Sequence, residues 1–195
     1  MIDKSKLKLK IKNEQIKPRY LMTISGSFDE ELYDKTLGLL APYIAEKDKY
    51  SGITIYITSL GGGAHIGLAL YDLFKSFNTS IYTVALGECT SAATLVFSLG
   101  EKRFVGENTI CLLHSVSMGN EGYSNARDIT ELYSRMKVYN SKILELYKRT
   151  QGVTDDFIDF INDLFDNTRE VTLNADDIIK YNFATDWYDD FNSVI

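Results

Sequence analysis

The sequence predicts an α/β fold: a mainly parallel sheet with helices covering its faces. Three observations predict it. β-Branched runs alternate with amphipathic helical stretches from Tyr20 onward, and each parallel neighbour needs such a crossover. The chain has 195 residues, 45% apolar and 25% charged, which suits one globular domain with a full core. No internal repeat, low-complexity tract or linker divides it.

The elements follow in order. Tyr20-Leu21-Met22-Thr23-Ile24 reads as a strand that ends at Ser25-Gly26-Ser27. A helix runs from about Asp29 to Lys47, with Leu32, Leu37, Leu40 and Ile44 on its apolar face and a bend or interruption near Pro42. The strand Ile53 to Thr58 leads into Ser59-Leu60-Gly61-Gly62-Gly63, and the next helix carries Ile66, Leu70 and Phe74. The strand Ile81 to Leu86 meets the small-residue turn Gly87-Glu88-Cys89-Thr90-Ser91-Ala92-Ala93, after which Thr94 to Leu99 reads as a buried helix. The strand Thr109 to Leu113 completes the alternation. A long helix, Asp128 to Arg149, places Ile129, Leu132, Met136, Tyr139, Ile143 and Tyr147 at spacings of three and four. Two readings of it stand: it faces the core, or it projects and packs against another subunit.

Composition excludes several function classes. A net charge of −6 argues against nucleic acid as a main partner. The lysines between Lys4 and Lys17 read as a solvated N-terminal arm, so the chain divides into an arm, 1–19, and a domain, 20–195. No apolar run is long enough to cross a membrane, and Met1-Ile2-Asp3-Lys4 does not open a signal peptide. Cys89 and Cys111 match neither a metal-site spacing nor a disulfide framework; they read as small core residues of a cytoplasmic protein. No metal or organic cofactor site is expected.

The chemistry concentrates at Ser91. A serine on a tight strand-to-helix turn exposes its hydroxyl beside unpaired helix N–H groups, which suit a developing oxyanion. Nucleophile elbows need small residues two before and two after the serine, and here those are Cys89 and Ala93. The plainer reading of Ser91 is a helix N-cap. Only His65 and His114 are available as a base. His114 closes its strand at the carboxyl edge, where the Ser91 turn also lies and where open α/β sheets carry ligands. It reads either as a base for Ser91 or as a histidine satisfied at a strand end. His65, in the first turn of its helix, reads as exposed and idle. Gly61-Gly62-Gly63 fits neither a phosphate loop nor a dinucleotide fingerprint, but it offers unobstructed backbone N–H groups.

Five blocks in order carry a resemblance: Ile55 to Gly62, Ile66 to Asp72, Gly87 to Ala93, Cys111 to His114 and Thr168 to Ala175. Together they resemble ClpP, the proteolytic subunit of the Clp protease, from about Arg19 to Trp187. The resemblance implies a crotonase-like α/β fold with the long helix projecting as a handle. It also implies a Ser-His-Asp peptidase in two stacked heptameric rings, served by an AAA+ unfoldase that feeds in unfolded chains. Ser91 is then the nucleophile, His114 the general base, and Gly62 and Ala92 supply the oxyanion-hole amides. Gly61, with Gly119 and Gly122 after the histidine, would bind substrate, the latter segment by strand addition.

The chain departs from the family at marked places. Glu170 stands where the family has aspartate, with Asp166 a lower-ranked substitute. Leu60 replaces a proline before the glycines, Val116 replaces a proline two residues past the histidine, and the segment before Arg19 does not resemble the axial loop. Three functions follow for test: an active peptidase, a catalytically silent ClpP-like scaffold or co-assembling subunit, and a crotonase-type acyl-CoA enzyme.

Overall fold

The computed structural model describes residues 17–117 and 126–195. Strand β1 (Tyr20–Phe28) passes through helix α1 (Glu30–Glu46) to β2 (Gly52–Gly62), and α2 (Ala64–Ser76) leads to β3 (Ser80–Cys89). Helix α3 (Ala93–Ser98), β4 (Lys102–Val105) and β5 (Ile110–His114) follow. The remainder is the long α4 (Ala126–Arg149), α5 (Asp155–Asp166), β6 (Glu170–Asn174), α6 (Ala175–Lys180) and β7 (Asp186–Trp187).

Strands β1, β2, β3, β4 and β7 lie side by side in that order, every pair parallel. In β2, Ile53 and Ile55 are 0% exposed and so is Thr54, which points to the opposite face. Burial of both faces is what helices on either side of a parallel sheet impose. Strand β5 branches off: it meets β3 at Glu88–Ile110 and pairs antiparallel with β6, placing His114 opposite Glu170.

The strands outrun their sequence-predicted ends. β1 continues past Ile24 to Phe28, β2 past Thr58 to Gly62 and β3 past Leu86 to Cys89. Register shifts fall between Ser25 and Ser27 and between Ile57 and Ser59. Gly26, with φ +93, lets β1 bend and rejoin its ladder, so the serine and glycine punctuation marks irregularities rather than strand ends. These extensions carry the strand ends to one edge, where the site forms.

Helix α1 starts at Asp29, whose carboxylate accepts from Leu32 N–H at 3.0 Å, a cap worth about 1 kcal/mol. It remains one helix through Pro42 rather than breaking there. Helix α5 is capped by Thr154 and buries Phe157, Ile161, Leu164 and Phe165. Phe157 stacks on Phe183 at 4.9 Å and Tyr147 meets Phe183 edge-on at 5.5 Å, which ties α4 and α5 to the core. Each such buried ring contributes about 1.5–3 kcal/mol.

Helix α4 faces the core over part of its length only. Its buried residues, Ile143, Leu146 and Tyr147, all lie in its C-terminal half. Further towards its N-terminus Ile129, Tyr133 and Val138 stay 59%, 53% and 56% exposed. Arg19, at the end of the sequence-defined arm, is tied into the body: its guanidinium donates to Thr54 Oγ1 and to the carbonyls of Ile53 and Ser80. Cys89 and Cys111 are free and buried, as expected of core residues. No helix among the described residues is long and apolar enough to cross a membrane.

Candidate active site

Ser91 sits in the turn between β3 and α3 with φ +53, a left-handed conformation that an L side chain adopts at a cost of about 1–3 kcal/mol. The surrounding backbone holds it there. Thr90 N–H donates to Ser59 C=O at 3.0 Å, Ser91 N–H to Leu112 C=O at 2.8 Å, and Thr94 N–H to Ser91 C=O at 3.0 Å. The Thr94 hydroxyl also bonds Ser91 C=O and shares a 2.6 Å bond with the Tyr147 phenol. Burial pushes that phenol up, so it stays neutral under the turn. The result is a strained serine on a rigid support.

Gly61 is the reason the turn can come so close to β2. Its φ is +88, and a Cβ there would stand 2.5 Å from Thr90 O and 2.7 Å from Ser91 Cβ. Both facts exclude a side chain. Gly61→Ala is expected to displace Ser91 and lower its reactivity about 100-fold, the scale of a 1 Å misplacement. Measured rates of Ser91 acylation check this; a variant as fast as wild type contradicts it.

His114 ends β5 and faces the serine: His114 Nε2 lies 2.7 Å from Ser91 Oγ. The other ring nitrogen, Nδ1, lies 2.6 Å from Ser115 O. A carbonyl oxygen only accepts, so Nδ1 carries the proton and Nε2 accepts from the Ser91 hydroxyl. That tautomer follows from the partners. It is the one a general base needs, with its lone pair on the serine.

The remaining sequence-predicted residues are placed as follows. Glu170 lines the same cleft and stands opposite His114 across the β5–β6 pair, where side chains emerge on one face. It is exposed, and no hydrogen bond joins its carboxylate to the imidazole; that place is held by Ser115 C=O. Asp166 bonds Asn162 and lines a groove between α4 and α5, away from the serine. Gly62 and Ala92 both line the cleft. The Ala92 N–H donates to no described residue. His65 is 58% exposed at the cleft mouth, 3.6 Å from Glu30. Gly119 and Gly122 lie outside the described residues.

The cleft has a volume of about 520 Å³, with Leu95, Ile143, Tyr147 and Phe165 as its apolar wall and Leu60 and Arg135 also on its lining. Cys89, two residues before the serine, is held as a thiol by its hydrogen bond with Cys111 and by burial, so it is no competing nucleophile. Among the described residues no group of three or more His, Cys, Asp or Glu is placed to hold a metal ion.

Sequence reasoning missed two parts of the site. Tyr147 reads as one more apolar position on a helix, although it supports the Ser91 turn through Thr94. Asn140 accepts from Val116 N–H at 2.8 Å, two residues past His114. Its only sequence signal is a polar residue next to Tyr139 on a face otherwise facing the core.

Comparison with known proteins adds a family. The profile of the Clp protease family matches residues 4–187. The ATP-dependent Clp protease proteolytic subunit of Pleurastrum terricola is 27% identical over 154 residues, 77% of this chain and 77% of that protein. Proteolytic subunit 2 of the same protease in Treponema denticola is 28% identical over 164 residues, 81% of this chain and 76% of that one. A solved structure of a ClpP1 mutant from Listeria monocytogenes superposes with TM-score 0.73 at 20% identity, covering 90% of this chain and 94% of the other. That likeness is one of fold.

Proposed function

The chain belongs to the Clp protease family, and we propose that it is a serine endopeptidase subunit that hydrolyses peptide bonds of unfolded proteins. The observation that carries the proposal is the 2.7 Å contact between His114 Nε2 and a Ser91 held at φ +53 in an open cleft. Ser91 Oγ attacks the scissile carbonyl carbon as its proton passes to His114 Nε2. The C=O electron pair becomes an oxyanion, received by the Gly62 and Ala92 N–H groups, each worth about 10²–10³ in rate. His114 then returns the proton to the leaving amine, and water repeats the sequence on the acyl-enzyme.

Glu170 is the proposed carboxylate of the triad. Its position opposite His114 supports a role in facing the imidazolium that would form during attack, while the Ser115 carbonyl holds Nδ1 in the resting enzyme. Gly61, Gly119 and Gly122 would align the substrate backbone. The peptidase domain spans 20–195, with 1–19 as a separate arm. The protein is placed in the cytoplasm, assembled as two stacked heptameric rings around a chamber and served by an AAA+ unfoldase. Ile129 and Tyr133, one turn apart on α4 and 59% and 53% exposed, support that assembly as an apolar stripe a neighbouring subunit could cover.

Hydrolysis of a fluorogenic peptide, measured on protein of defined size by light scattering, tests the proposal. Turnover by a ring-sized particle is expected. A second reading, a silent subunit that co-assembles with an active one, is favoured by the missing bond between Glu170 and His114. The two diverge at Glu170→Asp: the silent reading expects this change to create activity in an inert ring, and the peptidase reading expects activity already present in the wild type.

A further inference from the structure

We propose that Asn140 is a positioning residue for His114, acting through the peptide group between Ser115 and Val116. The inference rests on the peptidase reading above. Asn140 Oδ1 accepts from Val116 N–H at 2.8 Å. The other end of that same peptide group, Ser115 C=O, accepts from His114 Nδ1–H at 2.6 Å. Across the ring, Nε2 accepts from Ser91 Oγ–H at 2.7 Å. One unbroken line of hydrogen bonds therefore runs from helix α4 to the nucleophile.

The planarity of the peptide gives the line its mechanical sense. In a trans peptide the N–H and C=O vectors are fixed antiparallel, so holding one end aims the other. Asn140 grips the N–H and thereby aims the Ser115 oxygen at Nδ1. Each hydrogen bond also polarises the next, and little water competes, because Ser115 and Val116 are 7% and 8% exposed. Without Asn140, the Val116 N–H becomes a donor in a nearly dry site with no partner. The peptide plane is then free to turn, carrying the carbonyl off the imidazole.

This arrangement does part of the work that a triad carboxylate does: it selects the tautomer and fixes the ring plane. The Glu170 carboxylate makes no bond to the ring in the same geometry. The residue at 116 makes the arrangement available. The resembled family has proline there, and proline carries no N–H for Asn140 to accept. The departure at Val116, which reads in the sequence as lost loop rigidity, is compensated by a bond to α4.

The test compares wild type, Asn140→Leu and Asn140→Asp. Leucine keeps the side-chain size and helix propensity but offers no acceptor, whereas aspartate keeps the acceptor oxygen. Two readouts are taken: the rate of fluorophosphonate labelling at Ser91, and amide hydrogen exchange of the peptide carrying Val116. Asn140→Leu is expected to slow labelling and to speed exchange, each about tenfold, the scale of one net hydrogen bond, with Asn140→Asp within about threefold of wild type. With peptide substrate the loss is expected in kcat and not in KM, which a general loosening of the cleft would not produce. Labelling and exchange of Asn140→Leu equal to wild type overturn the inference while leaving the peptidase reading intact. A wild type that takes no label overturns the peptidase reading itself.

Discussion

Ser91→Ala is expected to lower peptide hydrolysis by about 10⁴–10⁶-fold while leaving particle size unchanged. The hydroxyl is the only group lost, and the turn is held by backbone bonds from Thr90, Ser91 and Thr94 that alanine preserves. A second substitution separates chemistry from strain. Ser91 occupies φ +53, where glycine bears no Cβ penalty. Ser91→Gly is therefore expected to be equally inactive but more stable than Ser91→Ala by about 1 kcal/mol, a midpoint higher by about 2–4 °C. Hydrolysis assays and thermal melts of the pair check both halves. Undiminished turnover in Ser91→Ala contradicts the mechanism; a glycine variant no more stable than the alanine contradicts the strain.

The second large effect is on stability, at Arg103. This arginine is 0% exposed and donates to four main-chain carbonyls: Phe183 at 2.7 Å, Gly100 at 2.9 Å, Gln151 at 2.8 Å and Asn182 at 2.9 Å. Burial pushes its pKa down to about 10, still well above neutrality, so the guanidinium is buried with its charge. The four carbonyls offset that burial and are themselves satisfied by it. They come from the loops after α3, α4 and α6, so one side chain ties three connections to strand β4. Arg103→Met leaves all four without this donor. The expected loss is about 3–5 kcal/mol, a melting midpoint lower by about 10 °C. Arg103→Lys reaches fewer of the carbonyls and is expected to fall between. A methionine variant that melts within about 2 °C of wild type contradicts the role.

What was legible in the sequence were the features carried by short-range pattern. The alternation of strands and helices, the Ser91 turn and the strand-end position of His114 follow from residues close together in the chain. Topology does the rest, because successive parallel strands end at one edge. The pairing of Ser91 with His114 is thus a local reading completed by a general rule. Strand lengths were less legible, because Gly26 and its serine neighbours mark a register shift as readily as a strand end. The capping box of Asn174 and Asp177 announces α6 in the sequence, yet the alternation alone did not bring it out.

Arg103 and Asn140 lay beyond that kind of reading. In Lys102-Arg103-Phe104-Val105 the arginine resembles any exposed strand residue, and its partners at Gln151, Asn182 and Phe183 are far along the chain. Asn140 acts on a backbone group, Val116 N–H, that no side-chain motif encodes. Glu170 is the converse case. Its position came from resemblance, and the structure adds that it stands opposite His114 without bonding it. Cross-strand register carries a residue's location but not the conformation of a four-bond side chain.

The most direct test of the central claim is intact-mass analysis of the assembled wild-type protein after fluorophosphonate treatment, with Ser91→Ala as control. The account predicts one adduct per chain, mapped to Ser91 and absent from the variant, because only a serine paired with a base reacts. An assembled particle that takes no adduct, or takes it equally in the variant, contradicts the account.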